Sequence, residues 1–191
     1  MHLRRAVELR PNWAEAHNSL GTVLAEHKMF VEAESVFRRA LELDPRFAVA
    51  WSNLGNVLKE TGRGGEAEAA YRSALEFDPN HWGAVYNFGL FLKDIRKLDE
   101  AEAVSRRVIE LKPRLAAGHV GLGNVLLAKS SGNIEEALNC FRRAIELDPD
   151  CLLRIRISPI RSLSSAKTAT TCSRKAGVSL RISRRRMHRV S

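Results

Sequence analysis

The pattern of apolar and small side chains predicts pairs of amphipathic helices along most of the chain. Trp51, Leu54 and Leu58 follow one another at the i, i+3, i+7 spacing of a single helical face. After a turn predicted at residues 61–65, a second stripe begins that includes Tyr71. An aspartate–proline pair then ends the second helix, because the residue before a proline disfavours the helical conformation.

This two-helix unit recurs with a period near 34 residues, which predicts a repeat architecture. Its closing prolines are spaced 34, 34, 34 and 36 residues apart, at Pro11, Pro45, Pro79, Pro113 and Pro149. The first helix of each unit repeats a large side chain at His17, Trp51, Val85 and His119, and a glycine at Gly21, Gly55, Gly89 and Gly123. The second helix repeats Phe37, Tyr71, Ser105 and Phe141. We predict an array over residues 1–153, made of a half repeat at 1–13 and full repeats at about 14–47, 48–81, 82–115 and 116–151.

These columns resemble the tetratricopeptide repeat, whose pattern is W-x2-L-G-x2-Y, A-x3-F and a closing proline. The resemblance covers about residues 1–149 and implies an all-α fold, a right-handed α-solenoid of stacked antiparallel helix pairs. Small residues such as Gly55 and Ala67 are expected to let the two helices approach closely. Because a lone pair cannot bury both faces, stability should come from stacking between repeats. The fourth repeat, with two extra residues near 129–133 and additional glycines, is expected to be the least stable.

Both ends of the chain depart from this pattern. Met1 falls inside what should be a second helix, and the pattern stops after Leu153 without the polar capping helix that closes most arrays. We therefore expect a fragment or an imperfect gene model, whose reading frame continues upstream of Met1 and beyond Leu153.

The net charge of +9 is concentrated in the last part of the chain. Residues 1–153 carry a charge of −2, whereas residues 154–191 hold 11 Lys and Arg and no acid. High charge with few large apolar residues predicts a disordered basic tail. The tail can serve nuclear import or bind nucleic acid or anionic lipid electrostatically, or it can be the product of a shifted frame. Elsewhere in the chain nucleic-acid binding is not expected.

Enzymatic, metal-binding and membrane functions find little support in the sequence. The chain has none of the common nucleophile, phosphate-binding or zinc motifs, and no apolar run near the ~20 residues of a membrane span. His17 and His119 share a column with Trp51 and are expected to fill space between repeats. Cys140 is expected to be a packing residue. The acids at the start of the second helices are expected to interact favourably with the positive end of the helix dipole. We expect a non-enzymatic, cytoplasmic protein without cofactor or metal, which is nuclear if the tail is genuine.

Binding of a protein or peptide is the function that the resemblance implies. In tetratricopeptide arrays the first helices line a concave groove that takes an extended peptide or a partner helix. By the resemblance, the groove residues here are Ser19, Asn53, Asn56, Tyr86, Asn87, Leu90 and Asn124. Asparagine offers both a donor and an acceptor to a peptide backbone. The groove columns hold no Lys or Arg, so a clamp for a C-terminal carboxylate is not expected.

The sequence is compatible with two functions. The array can be an independent interaction scaffold, with self-association possible through exposed terminal repeats. Its asparagines are also similar to those in the repeat arm of O-linked N-acetylglucosamine transferases. The alternative is therefore that the chain is the targeting arm of a larger enzyme, such as a glycosyltransferase, whose catalytic domain is absent here.

Overall fold

The computed structural model describes residues 2–129 and 133–149, and this part of the chain forms nine α-helices. Their bounds are α1 His2–Leu9, α2 Ala14–Glu26, α3 Phe30–Leu43, α4 Ala48–Glu60, α5 Gly64–Phe77, α6 Trp82–Asp94, α7 Leu98–Leu111, α8 Ala116–Ala128 and α9 Ile134–Leu147. We call α2, α4, α6 and α8 the A helices, and α1, α3, α5, α7 and α9 the B helices. The predicted basic tail at residues 154–191 lies outside the described residues.

The turn between the A and B helices of one repeat needs a single left-handed residue. Gly62 takes this conformation with φ of 78°, and Lys28 and Arg96 take it in the first and third repeats with φ of 61° and 64°. The N–H groups of Gly62 and Arg63 donate to the carbonyls of Lys59 and Leu58, which is the Schellman arrangement at a helix end. This arrangement completes the turn within residues 61–63. The prediction of a turn over residues 61–65 was therefore too long, because Gly64 already begins α5.

The turn between repeats follows from the residue before each proline. Asp44 and Asp78 end α3 and α5 with φ of −136° and −140°, outside the helical region, as proline requires of its predecessor. A side-chain oxygen of each aspartate accepts from the backbone N–H two residues later, at 3.0 Å in both cases. The aspartate–proline pairs therefore end the helices as predicted.

The packing of the helices makes the two faces of the array unequal. Each A helix packs against its own B helix, and each of α3, α5 and α7 packs against the next A helix. The backbones of successive A helices approach one another closely, whereas successive B helices in the described part of the chain meet through long side chains, such as Arg72 and Glu100. Shorter spacing between A helices curves the array so that they line its concave face. The predicted solenoid of antiparallel helix pairs is confirmed.

An aromatic ring of the B helix packs on a glycine of the A helix in three of the four full repeats. A β-carbon at Gly21, Gly55 or Gly123 would lie within 2.6 to 2.8 Å of that ring, too close for any other residue. The rings belong to Phe37, Tyr71 and Phe141. The close approach predicted for the A and B helices is confirmed, and it explains the glycine column.

The main core runs through the first three repeats and reaches Val125 of α8, and a second cluster forms in the fourth repeat. Tyr71, Phe88 and Phe91 lie at the centre of the main core, with ring centroids 5.4 to 6.4 Å apart. The fourth repeat holds a smaller cluster of its own around Leu122 and Leu126. The separation falls where the aromatic column is interrupted by a serine, Ser105.

Candidate peptide-binding groove

The residues predicted to line the groove all lie on A helices. Ser19 is on α2, Asn53 and Asn56 on α4, Tyr86, Asn87 and Leu90 on α6, and Asn124 on α8. Ser19 is exposed, and the other six are partly buried. Because α2, α4, α6 and α8 contact one another in sequence, these residues lie on neighbouring helices.

Asn53 and Asn87 each tie their own A helix to the preceding one. Nδ2 of Asn53 donates to Oδ1 of Asn18 at 3.0 Å, with Oγ1 of Thr22 at 3.4 Å. Nδ2 of Asn87 donates to Oγ of Ser52 at 3.4 Å. The side-chain carbonyl oxygens of both asparagines accept no hydrogen bond among the described residues. These bonds hold two neighbouring acceptors in place on the concave face.

Asn56 has a structural partner that its position in the sequence does not indicate. Its Oδ1 accepts from the hydroxyl of Tyr71 at 2.7 Å, and the Tyr71 side chain is fully buried. Burial raises the pKa of Tyr71, and the carboxylates of Glu60 and Asp94 raise it further. The hydroxyl therefore stays protonated and donates, which occupies one lone pair of Oδ1 and leaves the amide N–H groups of Asn56 for a ligand.

The remaining polar groove residues, Ser19 and Asn124, differ in their hydrogen bonding. Oγ of Ser19 donates to the Glu15 carbonyl of its own helix at 2.8 Å, which leaves its lone pairs exposed. Asn124 makes no hydrogen bond among the described residues. In the described part of the chain, unengaged acceptors are thus present at Ser19 on α2 and Asn53 on α4, and unengaged amide N–H groups at Asn56 on α4 and Asn124 on α8.

A small cavity lies beside Tyr86 and Leu90, where the groove passes the third repeat. Ser105 replaces the aromatic ring of the other repeats, and a β-carbon at the facing Gly89 would be 3.4 Å from its nearest neighbour. The cavity volume is about 10 Å³, which is room for about one water molecule. Gly121 of α8 also lines it. The serine column, visible in the sequence as a departure from the pattern, is the signal for this cavity.

The family is decided by models of the repeat itself. One tetratricopeptide repeat model matches residues 24–88, and a second matches residues 83–115 and 122–151. The chain belongs to the tetratricopeptide repeat family. Proteins of this family bind other proteins, and this chain is accordingly a protein–protein interaction scaffold. No curated protein sequence matches it.

Solved structures support the same tetratricopeptide fold. The crystal structure of MamA is similar over 78% of this chain and 86% of that chain, with a TM-score of 0.67 and 21% identity. MamA 41-end from Desulfovibrio magneticus RS-1 is similar over 78% of this chain and 82% of that chain, with a TM-score of 0.65 and 22% identity. At these identities the likeness concerns the fold alone.

The large column of the tetratricopeptide A helix has a role beyond filling space. Nε1 of Trp51 donates to the Pro45 carbonyl at 2.8 Å. Nε2 of His17 lies 2.9 Å from the carbonyl of Pro11, and Nε2 of His119 lies 2.9 Å from that of Pro113. A carbonyl can only accept, so each histidine nitrogen must be the donor. The six-residue spacing of these rings from the prolines was the signal that sequence reasoning missed.

The acids of the tetratricopeptide B helices form ion pairs between consecutive repeats. Glu68 of α5 receives Nζ of Lys97, from the next repeat, at 2.7 Å, and Nη2 of Arg72 at 2.9 Å. The same Arg72 reaches Glu100 of α7 at 2.6 Å. Equivalent pairs surround Glu34 and Glu102, and we call the three sets the inter-repeat ion ladder. At the junction of the first and second repeats the set consists of Glu34, Arg38, Arg63 and Glu66. At the junction of the third and fourth repeats it consists of Glu102, Arg106, Lys129 and Glu136.

The described tetratricopeptide repeats contain neither a cluster of metal-ligating side chains nor a helix that could span a membrane. No group of three or more His, Cys, Asp or Glu side chains in residues 2–129 and 133–149 is placed to hold a metal ion. Within the same residues, each helix is too short or too polar to cross a membrane. Burial raises the pKa of the Cys140 thiol, with a further contribution from Glu136, which keeps the thiol protonated as a packing group should be.

Proposed function

We propose that the concave face binds an extended peptide of a partner protein through its main chain. The observation that carries this proposal is the arrangement of Asn53 and Asn87. Each donates to the preceding A helix, and each presents a carbonyl oxygen without a partner among the described residues. Successive A helices would thus offer acceptors to successive peptide N–H groups. Asn56 and Asn124 would supply N–H donors to peptide carbonyls, and Ser19 would extend the row.

The polar chemistry of the groove favours an extended peptide over a partner helix. A helix has already used its backbone N–H and C=O groups internally, so side-chain amides would find few partners along it. Tyr86 and Leu90, both partly buried on α6, would supply apolar contact to the peptide side chains. The groove columns hold no Lys or Arg, which disfavours recognition of a peptide C-terminus or a phosphate.

The test uses peptides that the chain of residues 1–191 selects from a displayed library of random linear sequences. Affinities of the selected peptides are then measured for Asn53→Ala with Asn87→Ala. Since each lost hydrogen bond costs ~1 kcal/mol net, binding should weaken roughly 30-fold in the double variant. Helical content, measured by circular dichroism, should be unchanged.

The matched control is Asn139→Ala, which removes an exposed asparagine of α9 that bonds Arg142 outside the groove. This variant should bind the peptides as the wild type does. Unchanged affinity in the double variant, or a library that yields no peptide above background, would show that the groove assignment is wrong. The targeting arm of a larger enzyme would use the same groove, so this test gives the same result for that alternative.

A further inference from the structure

The third repeat differs from its neighbours at one buried position. Phe37, Tyr71 and Phe141 fill the space opposite the glycine column, but Ser105 stands in their place and is 6% exposed. Its hydroxyl makes no hydrogen bond among the described residues. Every fully buried side-chain oxygen among the described residues has a hydrogen-bond partner. The unpaired Ser105 hydroxyl is therefore not sealed inside the protein, and it faces the cavity that Ser105 lines.

The cavity joins the groove and has a mixed lining. Tyr86 and Leu90 of α6 and Gly121 of α8 are groove positions, and the floor is formed by Ser105 and Val108 of α7. No acidic side chain lines it, and Lys93 at its edge is 3.4 Å from the carboxylate of Asp94. Apart from Ser105, Tyr86 and Lys93, the lining residues are apolar or glycine, and the buried Ser105 hydroxyl can donate or accept a hydrogen bond.

We infer that this cavity is a subsite for a small hydroxyl-bearing side chain, threonine or serine, of the bound peptide. The inference rests on the proposed peptide-binding function of the same groove. A cavity of about 10 Å³ admits a group the size of one water, such as a hydroxyl or a methyl, and excludes a ring. The guest hydroxyl would fill the cavity and pair with Ser105, and the threonine methyl would stay in the groove against Leu90.

The experiment places threonine, serine, valine, alanine and phenylalanine in turn at every position of the tightest library-selected peptide. One position should prefer threonine over isosteric valine by roughly fivefold, which corresponds to one net hydrogen bond. That preference should fall to unity in Ser105→Ala and remain in Ser73→Ala, which removes a serine from α5 outside the cavity. Ser105→Phe should restore the ring-on-glycine packing of the other repeats, retain the fold and close the subsite.

The outcomes separate this inference from the proposed function. Loss of affinity on Asn53→Ala with Asn87→Ala, together with no threonine preference at any position, overturns the subsite and leaves the groove standing. A preference for valine, alanine or phenylalanine that Ser105→Phe abolishes also overturns the proposed subsite. Preference for an apolar guest would mean that the cavity recognises no hydroxyl, and preference for phenylalanine would mean that the cavity opens to admit a ring. Unchanged affinity for every guest in Ser105→Phe means that the cavity holds water only, which overturns it as well.

Discussion

The hydroxyl of Tyr71 donates to Oδ1 of Asn56 across 2.7 Å, from the core of the second repeat to its concave face. Tyr71 also packs its ring on Gly55 and on Phe91 of the next repeat. One asparagine is therefore shared between stability and the proposed groove. Any loss of binding on changing Asn56 must be separated from loss of fold.

Asn56→Ala should lower the free energy of unfolding by about 1–3 kcal/mol, because the buried Tyr71 hydroxyl loses its partner. Adding Tyr71→Phe removes the stranded hydroxyl, so the double variant should be more stable than Asn56→Ala alone. Urea denaturation followed by circular dichroism measures both. An equal loss of stability from Asn56→Ala in the wild type and in Tyr71→Phe would show that the two residues are not coupled.

The glycines of the A helices are expected to respond differently to alanine. A β-carbon at Gly55 would lie 2.8 Å from Cε1 of the fully buried Tyr71 ring, so Gly55→Ala should cost about 1–3 kcal/mol by overpacking. At Gly89 the nearest atoms are Cγ1 of Val104 at 3.4 Å and Oγ of Ser105 at 3.5 Å. There Gly89→Ala should be neutral or stabilise by up to ~1 kcal/mol, since alanine favours the helix.

Gly89→Ala should become destabilising when Ser105 is replaced by phenylalanine. A ring at position 105 would occupy the space that the alanine methyl needs, as Phe37 does opposite Gly21. Thermal unfolding of Gly89→Ala, Ser105→Phe and the double variant therefore forms a double-mutant cycle. Additive changes in stability would contradict the proposed equivalence of Ser105 with the aromatic column.

The left-handed turn residues give a third pair of predictions. Gly62→Ala should destabilise the array by about 1 kcal/mol, because a β-carbon is disfavoured at its φ of 78°. Arg96→Gly should relieve the same penalty at φ of 64° and leave the stability equal or higher, although glycine adds some entropy cost. Chemical denaturation compares the two. Destabilisation by Arg96→Gly larger than that by Gly62→Ala would point to side-chain contacts of Arg96 instead.

The repeat period and the glycine column were sufficient to predict the architecture, because both encode contacts within a helix pair that recur at fixed spacing. The turn at Gly62 was misjudged by two residues since the Schellman bonds that shorten it depend on backbone geometry. The groove positions followed from the resemblance to the tetratricopeptide repeat, but the hydrogen-bond partners of their side chains could not be predicted from it. The bond from Tyr71 to Asn56 joins residues 15 apart, and the bond from Asn53 to Asn18 joins residues 35 apart on stacked helices.

Acid should weaken the array through the inter-repeat ion ladder. Hydrogen bonds from Lys97 and then from Arg72 hold the pKa of Glu68 below its ordinary value. Lys129 and Arg106 do the same for Glu102. A carboxyl whose folded pKa is lowered contributes stability that is present above its unfolded pKa of about 4.3, and the contribution is lost as the pH falls through the folded value.

Glu68→Gln should therefore lower the stability at neutral pH by about 0.5–1 kcal/mol and reduce the loss of stability on acidification below about pH 4.3. The control is Glu76→Gln on the same helix, an exposed carboxylate that makes no ion pair among the described residues. Melting temperatures measured between neutral and acidic pH, at low and high salt, compare the two variants. The difference between them should shrink at high salt, since about half of the Lys97 and Arg72 side chains is exposed to solvent. Parallel pH profiles for both variants would show that the ladder contributes nothing to the stacking of repeats.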